Sequence, residues 1–257
     1  IAGPTLAGVI IARSGSVAPV YFANAASFGA VITALLLMRL PAKGANDDRP
    51  RVTWHAVREG LRFIVRSRLL LSLMLLDFAA TFFASANALI PAYAQTILHV
   101  GPEGYGLLQA APPIGSLVAA GVMSLLPPRQ RPGRTVLWAV TWYGIATIVF
   151  GLSQSLLLSL IALAGTGAAD TVSTVLRQTI RQLATPDALR GRMTAISMVF
   201  FQGGPQLGEI EAGLVARYFG PVFAVVSGGV ACVLTVVGVA IWAPWVRHYR
   251  GEEEPAK

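Results

Sequence analysis

The chain has 257 residues, 54% of them hydrophobic and 12% charged, with a mean hydropathy of +0.63. A soluble domain carries roughly a quarter charged residues, so half that share excludes an ordinary soluble enzyme and makes lipid the main solvent. A net charge of +8 raises nucleic acid as a partner, and the single cysteine, Cys232, excludes an internal disulfide and a cysteine-based metal site.

Residues 1–12 are apolar, but as a helix they would rise only about 18 Å against a hydrocarbon core of about 30 Å. They also lack the basic start and cleavage pattern of a signal peptide. The sequence is therefore expected to begin inside a span, with an upstream part lying outside it. Apolar runs long enough to cross a bilayer follow at 18–39, 69–92, 105–126, 135–152, 156–176, 193–216 and 222–245.

Between the first two runs, Pro41 to Arg51 is polar with Gly and Pro, as a linker would be. Thr53 can then cap a helix with Trp54, Val57, Leu61 and Ile64 on one face and Arg58, Arg62 and Arg66 on the other. Such a helix should lie along the inner leaflet, either as a tether between two bundles or as a regulatory element that binds lipid or a partner. The expected organisation is the end of one helical bundle over 1–40, a cytoplasmic linker over 41–68, a second bundle over 69–246, and a tail over 247–257.

The placement of basic residues tests this reading, because cytoplasmic loops collect Lys and Arg. Eighteen of the twenty fall at 39–68, 129–134, 177–192 and 247–257, on alternate connections, and the opposite side holds only Arg13 and Arg217. The asymmetry places the C-terminus in the cytoplasm and accounts for the net charge without nucleic acid.

A pattern recurs six spans apart. The first segment reads Gly3-Pro4-Thr5-Leu6-Ala7-Gly8, then Ala12-Arg13, then Ala18-Pro19-Val20. With a four-residue insertion after Gly208, residues 204–222 repeat it as Gly204-Pro205, Ala212-Gly213, Ala216-Arg217 and Gly220-Pro221-Val222. Two six-helix halves in parallel orientation would produce such a repeat. Pro205 removes a backbone donor beside Gly203 and Gly204, so that helix can bend there. Helix packing by small residues is the plainer role for these glycines.

Ionisable groups inside a membrane are costly and are functional candidates by default. Asp77 lies about 12 Å in from the inner end of its helix, and Asp170 about 9 Å from the inner end of its own. Asp77 is expected to share a face with Thr81 and, five turns on, Gln95. Thr166, Asp170, Ser173 and Arg177 follow a 4-3-4 spacing that draws one polar stripe, continued by Arg181. This suits proton coupling or gating by Asp77, Asp170 and Arg177, although a static ion pair of Asp170 would use the same residues. Gln202, Gln206, Glu209 and Gly213 form a second stripe, with Glu209 lining the path, while Glu211 faces away and could pair with Arg217. Gln202, Gln206, Thr81 and Thr166 are the candidate substrate-path residues. Phe82, Phe83, Tyr93, Trp142, Phe200 and Phe201 could line an apolar pocket or simply pack, and Trp242 and Trp245 suit interface anchors.

Enzymatic chemistry finds no constellation. His55, His99 and His248 fall far apart, and no phosphate-binding loop is present, so no cofactor, metal or catalytic residue is expected.

The chain resembles the Major Facilitator Superfamily, whose fold is two six-helix bundles, here from the end of helix five through helix twelve. Gly3-Pro4-x-x-Ala7-Gly8 is similar to the helix-five motif of its antiporters, with Ala7 where Gly is usual. Three stretches resemble the subgroup of exporters known as transmembrane secretion effectors, which includes enterobactin exporters. They are Gly101-Pro102-Glu103-Gly104-Tyr105-Gly106-Leu107-Leu108, Gln182-Leu183-x-x-Pro186-Asp187-x-x-Arg190-Gly191-Arg192, and Gln206-Leu207-Gly208-Glu209-x-Glu211-Ala212-Gly213. The loop with Arg129, Arg131 and Arg134 departs from the superfamily's loop motif, carrying Pro127 and Pro128 and no acidic residue.

The resemblance implies an all-α polytopic bundle in a bacterial inner membrane, a monomer whose partners are the lipid bilayer, protons and a small substrate. It implies secondary active export of a small amphipathic, drug- or siderophore-like molecule by proton antiport and alternating access. A polytopic enzyme acting on lipid, or a transporter-derived sensor, is the alternative.

Overall fold

The computed structural model describes residues 2–38, 54–84, 87–127, 131–186 and 189–249. Their regular structure is all helical, with no strand among them. Two helices, α1 (Ala2–Ser14) and α2 (Ala18–Leu37), precede α3 (Trp54–Arg66). A bundle follows, built from α4 (Arg68–Phe83), α5 (Ile90–Thr96), α6 (Pro102–Leu125), α7 (Pro132–Leu152), α8 (Leu156–Leu183), α9 (Arg190–Phe219) and α10 (Pro221–Trp242), closed by the short α11 (Pro244–His248).

Among the described residues, six segments are long and apolar enough to cross a membrane: α2, the stretch from α4 to α5, and α6, α7, α8 and α10. The run expected at 193–216 is also one continuous helix. At 30 residues α9 would span about 45 Å, although its charges make it less apolar than the rest.

The run expected at 69–92 is not one helix. Helix α4 stops at Phe83, a 3₁₀ turn occupies Asn87–Leu89, and α5 restarts with Pro91 in its first turn, where a missing N–H costs nothing. Gln95 therefore does not continue the face of Asp77 and Thr81, and it is exposed on α5. Two tyrosines brace the break. Tyr143 of α7 donates to the Ala84 carbonyl at 3.2 Å, and buried Tyr93 of α5 donates to the Gly151 carbonyl at 2.8 Å with its ring 4.7 Å from Phe150. Tyr93→Phe keeps the ring packing but leaves that carbonyl without the phenol. It should cost about 1 kcal/mol, read as a lower denaturation midpoint of the purified protein.

Close crossings hold the bundle together. Gly115 of α6 lies against the Ala164 carbonyl of α8, Gly167 of α8 against the Pro112 carbonyl of α6, and Ser116 Oγ donates to the Gly167 carbonyl at 3.0 Å. Gly144 and Gly229 bring α7 and α10 together in the same manner. Small residues let backbones approach where lipid supplies no hydrophobic drive between helices. By contrast α2 has no buried residue, and Phe22, Leu36 and Leu37 stand exposed.

The linker reading changes in one respect. Thr53 lies outside the described residues, but α3 itself forms and is docked on the bundle. Ile64 is buried with Leu70, Met74 and Met193, and Gly60 sits against Ile196 and Arg192 of α9.

The sequence repeat has a backbone counterpart. Helices α1 and α9 each carry an arginine in the last turn, Arg13 and Arg217. Each is followed by a glycine with positive φ, Gly15 at 65° and Gly220 at 87°, and then by a helix with Pro in its first turn. A cation at a helix C-terminus, an αL glycine and an N-terminal proline form a helix-stop, helix-start signal.

Candidate functional site

The sequence places Asp77 and Arg177 on helices whose backbones stay apart, α4 and α8, and the structure joins them through their side chains. Arg177 Nη1 lies 2.7 Å from Asp77 Oδ1, with side-chain exposures of 9% and 20%. The guanidinium N–H groups pass wide of that oxygen, so Asp77 Oδ1 is paired by charge without an aligned hydrogen bond. The apolar run at 156–176 stops one residue short of Arg177. Helix α8 in fact continues to Leu183, which draws Arg177 inside the bundle.

Asp170 joins the pair indirectly. Arg177 Nη2 donates to Thr174 Oγ1 at 3.0 Å, and Thr174 Oγ1 donates to Asp170 Oδ1 at 3.3 Å. Among the described residues no cation lies within ion-pair distance of Asp170, whose side chain is exposed. The static Asp170 ion pair allowed by the sequence is thus replaced by a chain Asp170–Thr174–Arg177–Asp77. Sequence reasoning passed over Thr174, although it sits four residues after Asp170 and three before Arg177, a spacing that puts all three on one face. It favoured Ser173, which is buried with no hydrogen-bond partner. Arg181 and Tyr143 lie within electrostatic reach of Asp77.

Phe78, also absent from the sequence-derived candidates, adjoins Asp77 in the chain. Its ring stacks on Phe82 at 5.9 Å and meets Phe200 of α9 edge-on at 6.2 Å, forming an apolar wall between α4 and α9. Of the other aromatic candidates, Phe83 is half-buried, Tyr93 is buried, and Trp142 and Phe201 are exposed. Trp242 is exposed, whereas Trp245 donates to Ser72 Oγ at 3.2 Å under the Arg68 guanidinium.

The substrate-path candidates separate into two groups. Thr81 donates back to the Asp77 carbonyl at 2.8 Å and faces Gly204, while Thr166 is buried and donates to the Leu163 carbonyl at 2.7 Å. Both hydroxyls are therefore engaged by their own helices and neither is brought to an open surface. Gln202, Gln206 and Glu209, in contrast, lie together on the exposed face of α9 with Gly213. Glu211 is half-buried on the opposite side of the helix, and it forms no ion pair with exposed Arg217 among the described residues.

Helix α9 runs unbroken through Pro205. Gly204 and Gly208 lie against Thr81 and the Phe82 carbonyl of α4, while Gly203 has open space around it. On α1, Gly3 is likewise open, and Gly8 is buried where a Cβ would come within 2.6 Å of the Pro102 carbonyl and 3.3 Å of Gly106 Cα. Pro4 lies within α1. A cavity of about 320 Å³ opens beside Gly8, lined by Ala7, Ile11, Pro102, Tyr105 and Gln109, with Gln109 Nε2 donating to Tyr105 Oη at 2.9 Å. Two stretches singled out in the sequence, Gly3–Gly8 and Gly101–Leu108, thus meet across one contact. No cluster of three metal-ligating side chains occurs among the described residues.

Comparison with known proteins gives this bundle and its Asp77–Arg177 ion pair a family context. The family model for transmembrane secretion effectors of the Major Facilitator Superfamily matches residues 1–254. The chain belongs to this family. It is 30% identical over 250 residues to the enterobactin exporter EntS of Citrobacter koseri, a match covering 97% of this chain and 59% of that protein. It is 28% identical over 252 residues to EntS of Escherichia coli K12, covering 97% and 59%, and 28% identical over 255 residues to EntS of Escherichia coli O1:K1, covering 99% and 60%. The chain thus spans about three fifths of the length of these relatives. No solved structure matches.

Within the secretion effector family's frame, the described helices follow α1 to α10 as the resemblance implied. The Gln206–Gly213 stretch supplies an α4 contact through Gly208, a buried position at Ala212 beside Leu89 and Ile90, and the exposed stripe through Gln206 and Glu209.

Proposed function

We propose that the protein is a secondary active exporter of a small amphipathic molecule, driven by proton antiport and working by alternating access. The observation that carries this reading is the Asp77–Arg177 ion pair, a buried charge pair linking two helices whose backbones hardly touch. A carboxylate held by a guanidinium inside a membrane bundle is a two-state element, because protonating Asp77 removes the charge that holds Arg177. Thr174 then leads Arg177 toward Asp170, so one proton shifts the arginine from an α4 partner to one on its own helix. Loosening α4 from α8 would let the bundle rock around a midplane site.

The remaining assignments follow from this role. Asp77, Asp170 and Arg177 are the coupling and gating residues, and Glu209 with Gln202 and Gln206 lines the substrate path. Gly204 and Gly8 are close-contact positions, and Gly3, Pro4, Gly203 and Pro205 are where helices α1 and α9 can flex. Residues 1–40 form part of one bundle and 69–246 the other, joined by 41–68, with the C-terminus on the cytoplasmic side of a bacterial inner membrane. The relatives named enterobactin exporters favour a siderophore-like substrate.

The test is efflux of iron-free enterobactin from vesicles containing the reconstituted protein, with and without an imposed proton gradient. The gradient should accelerate release, and equal rates would overturn proton antiport of this substrate.

A further inference from the structure

Helix α3 has a surface that the transport reading does not use. Gly60 and Ile64 dock it on α9 and α4. Away from that contact, Leu61 and Val65 are exposed at 46% and 57%, and Arg58, Arg62 and Arg66 are exposed beside them. At 100° per residue the apolar pair and the arginines occupy adjoining sectors of the helix. Against these three arginines α3 carries one acidic residue, Glu59.

The chain itself fixes where this surface lies. Helix α3 ends at Arg66 and α4 begins at Arg68, with Ser67 Oγ accepting the Leu70 N–H as the cap between them. Since α4 opens a membrane-crossing segment, the last turn of α3 is held at the boundary between bilayer and water. Arg68 stacking over Trp245, at the end of the last span, marks the same level. At that depth exposed Leu61 and Val65 meet acyl chains, and the neighbouring guanidiniums meet head groups.

We propose that α3 is a binding surface for anionic lipid head groups, with Arg58, Arg62 and Arg66 reading the phosphate charge and Leu61 and Val65 entering the acyl layer. Guanidinium favours phosphate by charge and by its planar array of donors. Basic residues close to an anionic surface each contribute about 1 kcal/mol, which is roughly five-fold, so three together favour an anionic over a neutral surface on the order of 100-fold. Through Gly60, whose Cβ position lies 2.8 Å from Ile196 Cδ1, the bound surface is tied to the end of α9, the helix that carries Gln202, Gln206 and Glu209.

Amide hydrogen exchange of residues 54–66 in the intact protein tests this without measuring transport. The protein is placed in nanodiscs of phosphatidylcholine alone or of phosphatidylcholine with one third phosphatidylglycerol. Exchange across α3 should slow at least about ten-fold in the anionic discs, an effect that high salt weakens. The combined variant R58Q/R62Q/R66Q should exchange at one rate in both discs, with the remaining helices protected as in the parent. Equal rates for the parent in the two discs, or an anionic effect retained by the variant, would overturn the proposal. Because no substrate or proton gradient enters, this outcome is independent of the exporter assignment.

Discussion

Asp77→Asn is expected to abolish the acceleration of export by a proton gradient and to destabilise the protein more than Arg177→Met does. The asymmetry comes from what each change leaves behind. In Asp77→Asn the Arg177 guanidinium, 9% exposed, is left without its carboxylate partner. Breaking a buried pair in this way costs about 3–5 kcal/mol, and the Thr174 contact that leads to Asp170 holds the value toward the lower end. In Arg177→Met the orphaned carboxyl can bind a proton and become neutral, which avoids most of the cost of a buried charge. The double variant D77N/R177M removes both charges and should recover much of the loss. Denaturation of the purified protein by titrated SDS gives the four corners of the cycle, and efflux with and without the gradient gives the coupling. Asp170→Asn serves as the contrast, since it leaves the Asp77–Arg177 pair in place and should keep most of the stability while altering the gradient dependence. A cycle with no coupling energy, or Asp77→Asn with normal gradient-driven export, would remove Asp77 from its role.

The spans were legible because bilayer thickness sets a length that hydropathy reports directly, and α2, α6, α7 and α10 begin and end close to where charge, Pro or Gly predicted. The break between α4 and α5 was not, since Leu89, Ile90 and Tyr93 keep the run apolar although α4 ends at Phe83 and a 3₁₀ turn precedes α5. Pro91 was the local signal. Likewise the apolar count ended α8 at residue 176, whereas hydrogen bonding carries the helix through Arg177 and Arg181 to Leu183. The sequence therefore sets Arg177 at the inner end of the polar stripe, whereas the continued helix buries it. Periodicity gives the face of one helix and nothing about its phase against another, so the partner of Arg177, 100 residues away on α4, could not be chosen between Asp77 and Asp170. Thr174 needed no such information, because its spacing to Asp170 and Arg177 lies within one helix. The exposed stripe of Gln202, Gln206 and Glu209 was legible for the same reason.

The second large effect is expected at the crossing of α6 and α8, where Gly115 and Gly167 each meet backbone of the other helix. A Cβ on Gly167 would overlap the Pro112 carbonyl, and one on Gly115 the Ala164 carbonyl. Backbone cannot move aside as a flexible side chain can, so Gly167→Leu must push the two helices apart. That separation also breaks the hydrogen bond from Ser116 Oγ to the Gly167 carbonyl and opens the cluster in which Leu108 and Ala111 of α6 meet Leu163 of α8. Overpacking alone costs about 1–3 kcal/mol, and the lost contacts raise the total above about 3 kcal/mol, a large share of the net stability of a folded domain. Gly121→Leu on α6 is the matched control, because nothing lies within 4 Å of its Cβ position. It should be neutral or slightly stabilising, since leucine is the better helix former by up to about 1 kcal/mol. The measurement is size-exclusion elution and thermal unfolding of both variants in detergent: Gly167→Leu should elute as aggregate or unfold at a much lower temperature, and Gly121→Leu should match the parent. Equal stability of the two variants would show that α6 and α8 do not cross through these glycines. The charge chain on α8 would then lose the scaffold that sets its distance from α4, because Gly167 lies within one turn of Asp170 on the same helix.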